Sequence, residues 1–180
     1  SGTAMVITLV VPMRKILGLD RYITDDHFES IAKILLFTSL IVTYAYIVEF
    51  GLAWYGGNVF ETELFRYRAW GHYKALFWTM ITCNSLVPLT LFARRLRRNI
   101  PYLLIVSLLV NVGMWVERFV IIVTSLASDF DPYVWDTQRY TPTYVEAGIT
   151  LGSFGLFFAL YLIFLKTLPV LSITEIKEHL

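Results

Sequence analysis

The sequence is poor in cysteine and in charged residues. Cys83 is the one cysteine among 180 residues, which excludes a disulfide framework, a CxxC zinc site and a cysteine-ligated iron–sulfur cluster built from these residues. Only 16% of the residues are charged, against about 25% in soluble domains. The formal net charge of +1 gives no basis for nucleic-acid binding. We therefore expect any redox metal to belong to another polypeptide, and no nucleic-acid partner.

The sequence motifs of soluble enzymes are also missing. It has no G-x-S-x-G motif, no phosphate-binding loop and no HExxH motif, so it shows no complete active site. The histidines His27, His72 and His179 fall at the boundaries of apolar runs or in the C-terminal tail. A transmembrane b-haem needs two histidines at matching depth. We therefore expect this chain to bind no haem and no cofactor of its own.

Long apolar runs dominate what is present. Hydrophobic residues make up 57% of the sequence, and its mean hydropathy is +0.62. Runs at about 30–55, 72–93, 101–127 and 144–168 each approach or exceed the ~20 residues of a spanning helix. The run 2–13 would extend only about 18 Å as a helix, less than the ~30 Å of hydrocarbon. The sequence predicts an all-α, polytopic transmembrane helix bundle with four full spans and one partial span, in a single domain over 1–180.

Local signals refine this picture. The partial span has no initiator methionine and no basic region before it, so we expect the second half of a span, in the C-terminal part of a longer protein. Thr24 or Asp25 is predicted to cap the helix of the first full span. Pro88 is predicted to kink its helix, and Pro169 to help end the last one.

The loop charges predict the orientation. We call side A the membrane face at which segment 2–13 ends, and side B the opposite face. The basic residues of side A are Arg14, Lys15, Arg21, Arg94, Arg95, Arg97, Arg98, Lys166 and Lys177. The side-B loops hold Arg66, Arg68 and Arg139 with the acids Glu61, Glu63, Asp129, Asp131 and Asp136. The positive-inside rule predicts that side A and the C-terminus are cytoplasmic. We interpret the RRLRR sequence as a topology anchor, with a specific lipid or nucleotide site as the alternative.

Glu117 and Arg118 lie side by side in the third full span, within NVGMWVERFVIIVTSL. Each charge at mid-membrane costs ~2.5–3.5 kcal/mol on insertion scales, so both should face a partner or a wet cavity. Counting from Tyr102 puts Glu117 roughly 22 Å from side A, nearer side B. Glu49 is expected near that level, which makes a Glu49–Arg118 pair possible. Alternatively Glu117 and Arg118, about 100° apart on one helix, face different neighbours.

Further polar side chains fall at depth in other spans, Asn84 and Asn111 near mid-bilayer and Tyr46 among them. Together they would form a polar ladder from mid-membrane to the outer face, as a proton relay requires. The candidates for a proton path are Glu117, Arg118, Glu49, Asn111, Asn84 and Tyr46. A structural interpretation stays open beside it. Asparagines in spans also serve as interhelical hydrogen bonds worth ~0.6–2 kcal/mol, and the charged couple as a structural ion pair.

Three stretches carry a family resemblance: SGTAMVITLVVPMRK, YAYIVEFGLAWYGG and NVGMWVERFVIIVTSL. They resemble the polysulfide-reductase (NrfD-like) family of quinol-interacting membrane subunits, and within it the C-terminal half of the large membrane subunit of bacterial alternative complex III. The resemblance implies a haem-free protein of the bacterial inner membrane, built from two helix bundles. Its quinol site would lie in the N-terminal bundle and a proton path in the second. Glu117, Arg118 and Glu49 match the recurrent intramembrane charges of that family.

The resemblance also implies partners and a substrate. The full subunit would use quinol, beside an iron–sulfur subunit, multihaem cytochrome subunits and a paralogous membrane subunit. The iron–sulfur clusters and c-haems would belong to those partners. Two other functions stay open: half of a secondary ion-coupled transporter with Glu117 as the ion site, or a structural membrane anchor. Pro88 offers one helix break of the kind that transporters show in matched repeats, and no second break in the sequence matches it.

Overall fold

The computed structural model describes residues 1–126, 140 and 142–167. All secondary structure in these residues is helical, so the fold is all-α as predicted. The chain divides into two units, residues 1–138 and 139–180.

Helices of very different length make up the first unit. The long ones are α1 (Gly2–Leu17), α2 (Asp25–Tyr55) and α7 (Ile100–Leu126). Between α2 and α7 lie α3 (Val59–Trp70), α4 (Lys74–Ile81), a π-helical segment (Thr82–Leu86), α5 (Val87–Leu89) and α6 (Arg94–Arg97). Short 3₁₀ turns occupy Leu19–Arg21 and Thr90–Phe92. The described part of the second unit contains α8 (Tyr144–Thr167).

Four helices in the described residues are long and apolar enough to cross a membrane. They are Asp25–Tyr55, the continuous helix Lys74–Phe92, Ile100–Leu126 and Tyr144–Thr167, and they overlap the four predicted full spans. Helix α1 has 16 residues and a length of about 24 Å, short of the hydrocarbon thickness. It runs four residues beyond the predicted partial span, to Leu17, and ends at the C-cap Gly18, which has a positive φ of 63°. Pro169 lies outside the described residues.

The turn between α1 and α2 is fixed by polar contacts on side A. Thr24 is the N-cap of α2, one of the two residues predicted for that role, and its backbone N–H donates to His27 Nδ1 at 3.2 Å. Arg14, near the end of α1, bridges Asp20 at 2.8 Å and Asp25 at 2.9 Å. These contacts tie the end of α1 to the first turn of α2.

Pro88 perturbs the span Lys74–Phe92 as expected for a proline, through a π-helical segment before it. Proline has no N–H to donate to the carbonyl four residues earlier and clashes with that carbonyl, which here belongs to Asn84. The Val87 N–H instead donates to the Thr82 carbonyl, five residues back. Such π bulges are frequent at functional sites. This one contains Asn84, one of the predicted site residues.

Apolar packing joins α1, α2 and α7 toward side A, and α2, α3, α4 and α7 toward side B. The first apolar cluster contains Ala4, Ile7, Val11, Phe28, Ala32, Leu35, Leu36, Leu91, Leu103, Val106 and Val110. The second contains Tyr46, Ala69, Phe77, Met80, Val116 and Val120. The second cluster lies at the level of Glu117, since it contains Val116 and Val120 of α7.

Gly113 allows α7 to pass close to the π-helical segment. A Cβ at this position would collide with Asn84 Oδ1 and lie 2.6 Å from the Cys83 Cβ. Real Cβ atoms do not approach other atoms so closely, so the helices would have to separate. The close approach also sets the position of the Asn84 side chain against α7.

We predict that Gly113→Ala lowers the free energy of unfolding by about 1–3 kcal/mol because the added methyl group overpacks this crossing. Gly51→Ala is the matched control, since nothing lies within 4 Å of a Cβ built at Gly51. Alanine is the better helix former, so the control should be neutral or slightly stabilising. Thermal unfolding of the two variants in the same detergent measures the difference. Equal unfolding temperatures would contradict the close packing at Gly113.

Candidate functional site

Glu117 is a carboxylic acid buried among helices of a membrane span. It is 8% exposed and lies on the face of α7 that packs into the first unit. The Tyr46 hydroxyl of α2 donates a hydrogen bond to Glu117 Oε2. Tyr46 is itself 8% exposed. An acid and a phenol from two helices therefore share a hydrogen bond away from solvent.

Asn84 completes this cluster from the π-helical segment. Its side-chain amide donates to Glu117 Oε2 at 2.9 Å and to the Tyr46 hydroxyl oxygen at 3.0 Å. Asn84 is 2% exposed. We call Tyr46, Asn84 and Glu117 the buried triad. Each member comes from a different part of the fold, and each contacts the other two.

The triad leaves one carboxyl oxygen open. Both hydrogen bonds to Glu117 end on Oε2, and Oε1 makes none with a described residue. A carboxyl group held through one oxygen can gain or lose a proton on the other without moving. The Tyr46 hydroxyl both donates and accepts, since it gives its proton to Glu117 and receives a bond from Asn84. This arrangement suits proton exchange at a fixed position.

Two buried polar atoms of the π-helical segment have no protein partner among the described residues. They are Oδ1 of Asn84, a member of the triad, and Oγ of the next residue, Ser85. Buried acceptors of this kind are commonly satisfied by water. Together with the triad they form a row of buried polar atoms along the π-helical segment.

Glu49 lies one turn beyond Tyr46 on α2, toward side B, and is exposed. Its charge acts on Arg68 of α3, whose guanidinium donates to Thr124 Oγ1 at 2.7 Å and to Ser125 Oγ at 2.9 Å. Burial lowers the pKa of Arg68, and the negative charge of Glu49 opposes that shift. Sequence reasoning placed Arg68 only among the loop charges of side B. Its contacts with α7 carry no signal in the local sequence, because they span more than fifty residues.

Arg118 is exposed and lies outside the buried triad. The structure contains no ion pair between Arg118 and either Glu117 or Glu49. Because neighbouring residues are about 100° apart on a helix, burial of Glu117 turns Arg118 toward the outer face of α7. There it follows Trp115 and precedes Ile122, both 53% exposed. The Glu49–Arg118 pair that the sequence left open is therefore not formed, and Glu117 and Arg118 lie on different faces of α7.

Asn111 also lies apart from the triad. Its amide donates to Thr8 Oγ1 of α1 at 3.1 Å, and Thr8 Oγ1 lies 3.2 Å from Ser107 Oγ. Six residues separate Asn111 from Glu117 on α7, about 9 Å along the axis. Asn111 therefore links α1 to α7 as an interhelical hydrogen bond. Of the six predicted path residues, the structure joins Tyr46, Asn84 and Glu117 directly and places Glu49 one turn away.

Within the described part of the chain, no three histidine, cysteine, aspartate or glutamate side chains come together as a possible metal site. Glu117 is the acid of the triad, and Glu49 lies on a different helix, one turn from Tyr46. The chemistry that the triad itself offers is the exchange of a proton.

We predict that Tyr46→Phe lowers the free energy of unfolding by about 1–3 kcal/mol because it removes one hydrogen bond to buried Glu117 and one from Asn84. Tyr44→Phe is the control: Tyr44 is 68% exposed and its loss should change stability by less than about 0.5 kcal/mol. Thermal unfolding in detergent distinguishes the two. Equal effects would show that the triad hydrogen bonds contribute nothing to stability.

Comparison with protein-family models and with curated proteins finds no match to this sequence. Support for a function comes from the geometry of the buried triad and from the residues that carry the family resemblance.

Proposed function

We propose that this chain is part of a membrane subunit of a quinol-oxidising respiratory complex, in which Glu117 passes protons toward side B. The observation that carries the proton-transfer role is the buried carboxyl group of Glu117, held by Tyr46 and Asn84 with one oxygen open. An ionisable residue inside a membrane span is expensive and marks a functional path by default. The quinol-oxidising role is supported by the resemblance of the three sequence stretches.

The proposed path has a buried relay and an outer acceptor. A proton arriving at Glu117 Oε1 neutralises the carboxyl group. The Tyr46 hydroxyl, which donates to Oε2 at rest, then turns its proton away, and rotation of the carboxyl group brings the protonated oxygen to face the Tyr46 oxygen. Tyr46 accepts that proton and gives its own to the next acceptor on the same face of α2. Glu49 follows three residues later and is exposed. Glu49 thus delivers the proton to side B.

The oxidation of a quinol to a quinone releases two protons and two electrons. Electrons in this proposal leave through an iron–sulfur subunit and multihaem cytochrome subunits, because this chain has a single cysteine and no predicted haem ligands. The protons enter the Glu117 path. The complex would lie in a bacterial inner membrane beside a paralogous membrane subunit, with side A cytoplasmic by the positive-inside rule.

We predict that Glu117→Gln slows quinol oxidation by the purified native complex by about a hundredfold, the lower end of the loss expected for a positioned proton donor and acceptor. Glutamine keeps the shape and can still accept hydrogen bonds from Tyr46 and Asn84, so the complex should assemble. Reduction of the c-haem absorbance after addition of quinol measures the rate. Glu61→Gln is the control, since Glu61 is an exposed acid of α3 outside the path.

The outcomes separate the three functions. A wild-type rate with Glu117→Gln would contradict the proton-transfer role. Loss of subunits from the Glu117→Gln complex would indicate a structural anchor. A native preparation without iron–sulfur or c-haem subunits would contradict the quinol-oxidising role and favour an ion-coupled transporter.

A further inference from the structure

Four basic side chains converge on one buried acid at the side-A end of the first unit. Glu29 lies in the second turn of α2, and its side chain is 10% exposed. Its Oε1 is 3.1 Å from Arg97 Nη2, 3.5 Å from Lys33 Nζ and 3.9 Å from Arg94 Nε. Its Oε2 is 3.2 Å from Arg98 Nε. We call Glu29, Lys33, Arg94, Arg97 and Arg98 the basic hub.

The basic hub keeps an excess of positive charge and of hydrogen-bond donors. Among the described residues, the other acid in contact with the hub is Asp26, at 3.0 Å from Arg98 Nη2. Four cations therefore share two carboxylates, which leaves a net charge of +2. The buried Nε of Arg97 has no hydrogen-bond partner among the described residues. The side chains of Lys33 and Arg94 are 57% and 73% exposed, so both can reach a ligand.

A topology anchor needs only positive charge near the membrane surface. The basic hub has more than that, because a nearly buried carboxylate draws together cations from α2 and α6 that would otherwise repel each other. Guanidinium groups in such a cluster match the oxygens of a phosphate group through paired hydrogen bonds. The hub also lies where α2 begins and α6 leads into α7. Basic side chains at the ends of membrane-spanning helices are placed to reach the headgroups of anionic lipids.

We propose that the basic hub binds a phosphate group, with Lys33 and Arg94 as its exposed ligands and Glu29 as the residue that positions Arg97 and Arg98. The headgroup of an anionic phospholipid supplies this chemistry at the right depth, since basic pockets between spans bind such headgroups. A free phosphate ion offers the same chemistry from the aqueous phase. The proposal does not depend on the proton path, because the hub and the buried triad share no residue.

The test compares two double variants of the full protein in gentle detergent. Lys33→Gln with Arg94→Gln removes the exposed ligands, and Lys15→Gln with Arg21→Gln removes two exposed cations elsewhere on side A. Each protein is delipidated and then titrated with phosphatidylglycerol, phosphatidylcholine or inorganic phosphate. Native mass spectrometry counts the bound molecules. Arg94→Gln alone provides a second, milder variant should the first double variant fail to fold.

We expect the wild type and the Lys15/Arg21 variant to retain one phosphatidylglycerol tightly and phosphatidylcholine weakly. The Lys33/Arg94 variant should bind phosphatidylglycerol about thirtyfold more weakly, from the loss of two cations near an anionic group. Inorganic phosphate that displaces phosphatidylglycerol from the wild type at a similar concentration, but does not bind the Lys33/Arg94 variant, would assign the site to a free anion. Equal phosphatidylglycerol binding by both double variants, or no preference over phosphatidylcholine, would overturn the proposal.

Discussion

A carboxylic acid inside an apolar span is stable only if the fold supplies it with hydrogen bonds, and that constraint organises the first unit. Glu117 is only 8% exposed, so Tyr46 and Asn84 must approach it from two other segments. Their approach depends on the π bulge before Pro88 and on the missing side chain of Gly113. Helix breaks and small residues in membrane spans are usually tolerated for packing. Here they place an amide beside a buried acid.

Three of the polar clusters in the first unit lie at different levels, each with a different chemistry. On side A, Glu29 holds the cations of the basic hub together through ion pairs. In the interior, the triad contains a single ionisable carboxyl group and no cation. Toward side B, Arg68 donates a hydrogen bond to the last turn of α7 and interacts electrostatically with Glu49. The first level is suited to holding an anion, while the second and third are suited to moving a proton outward.

The fold was largely predictable because apolar runs of about twenty residues have few alternatives in a membrane. The ends of the helices were less predictable. Helix α1 continues through Arg14 and Lys15 and ends before Gly18, because the left-handed backbone of that glycine ends the helix, and not the last apolar residue. For the site, depth along each span identified Glu117, Asn84 and Tyr46 as candidates. Depth does not say which face of a helix a residue occupies. Arg118 lies at the level of Glu117, and Asn111 lies on the same helix, but neither contacts the triad. Arg68 gave no signal, because a basic residue in a polar segment is normally solvated.

In the proposed function, Glu117 changes its protonation state during turnover. Infrared difference spectroscopy of the purified complex, triggered by quinol addition in H₂O and D₂O, tests it directly. We predict a carboxylic acid C=O band that appears or disappears with turnover, shifts in D₂O and is missing from the Glu117→Gln complex. Difference spectra that are the same for the wild type and Glu117→Gln would show that Glu117 keeps one protonation state, and would rule out its role in proton transfer.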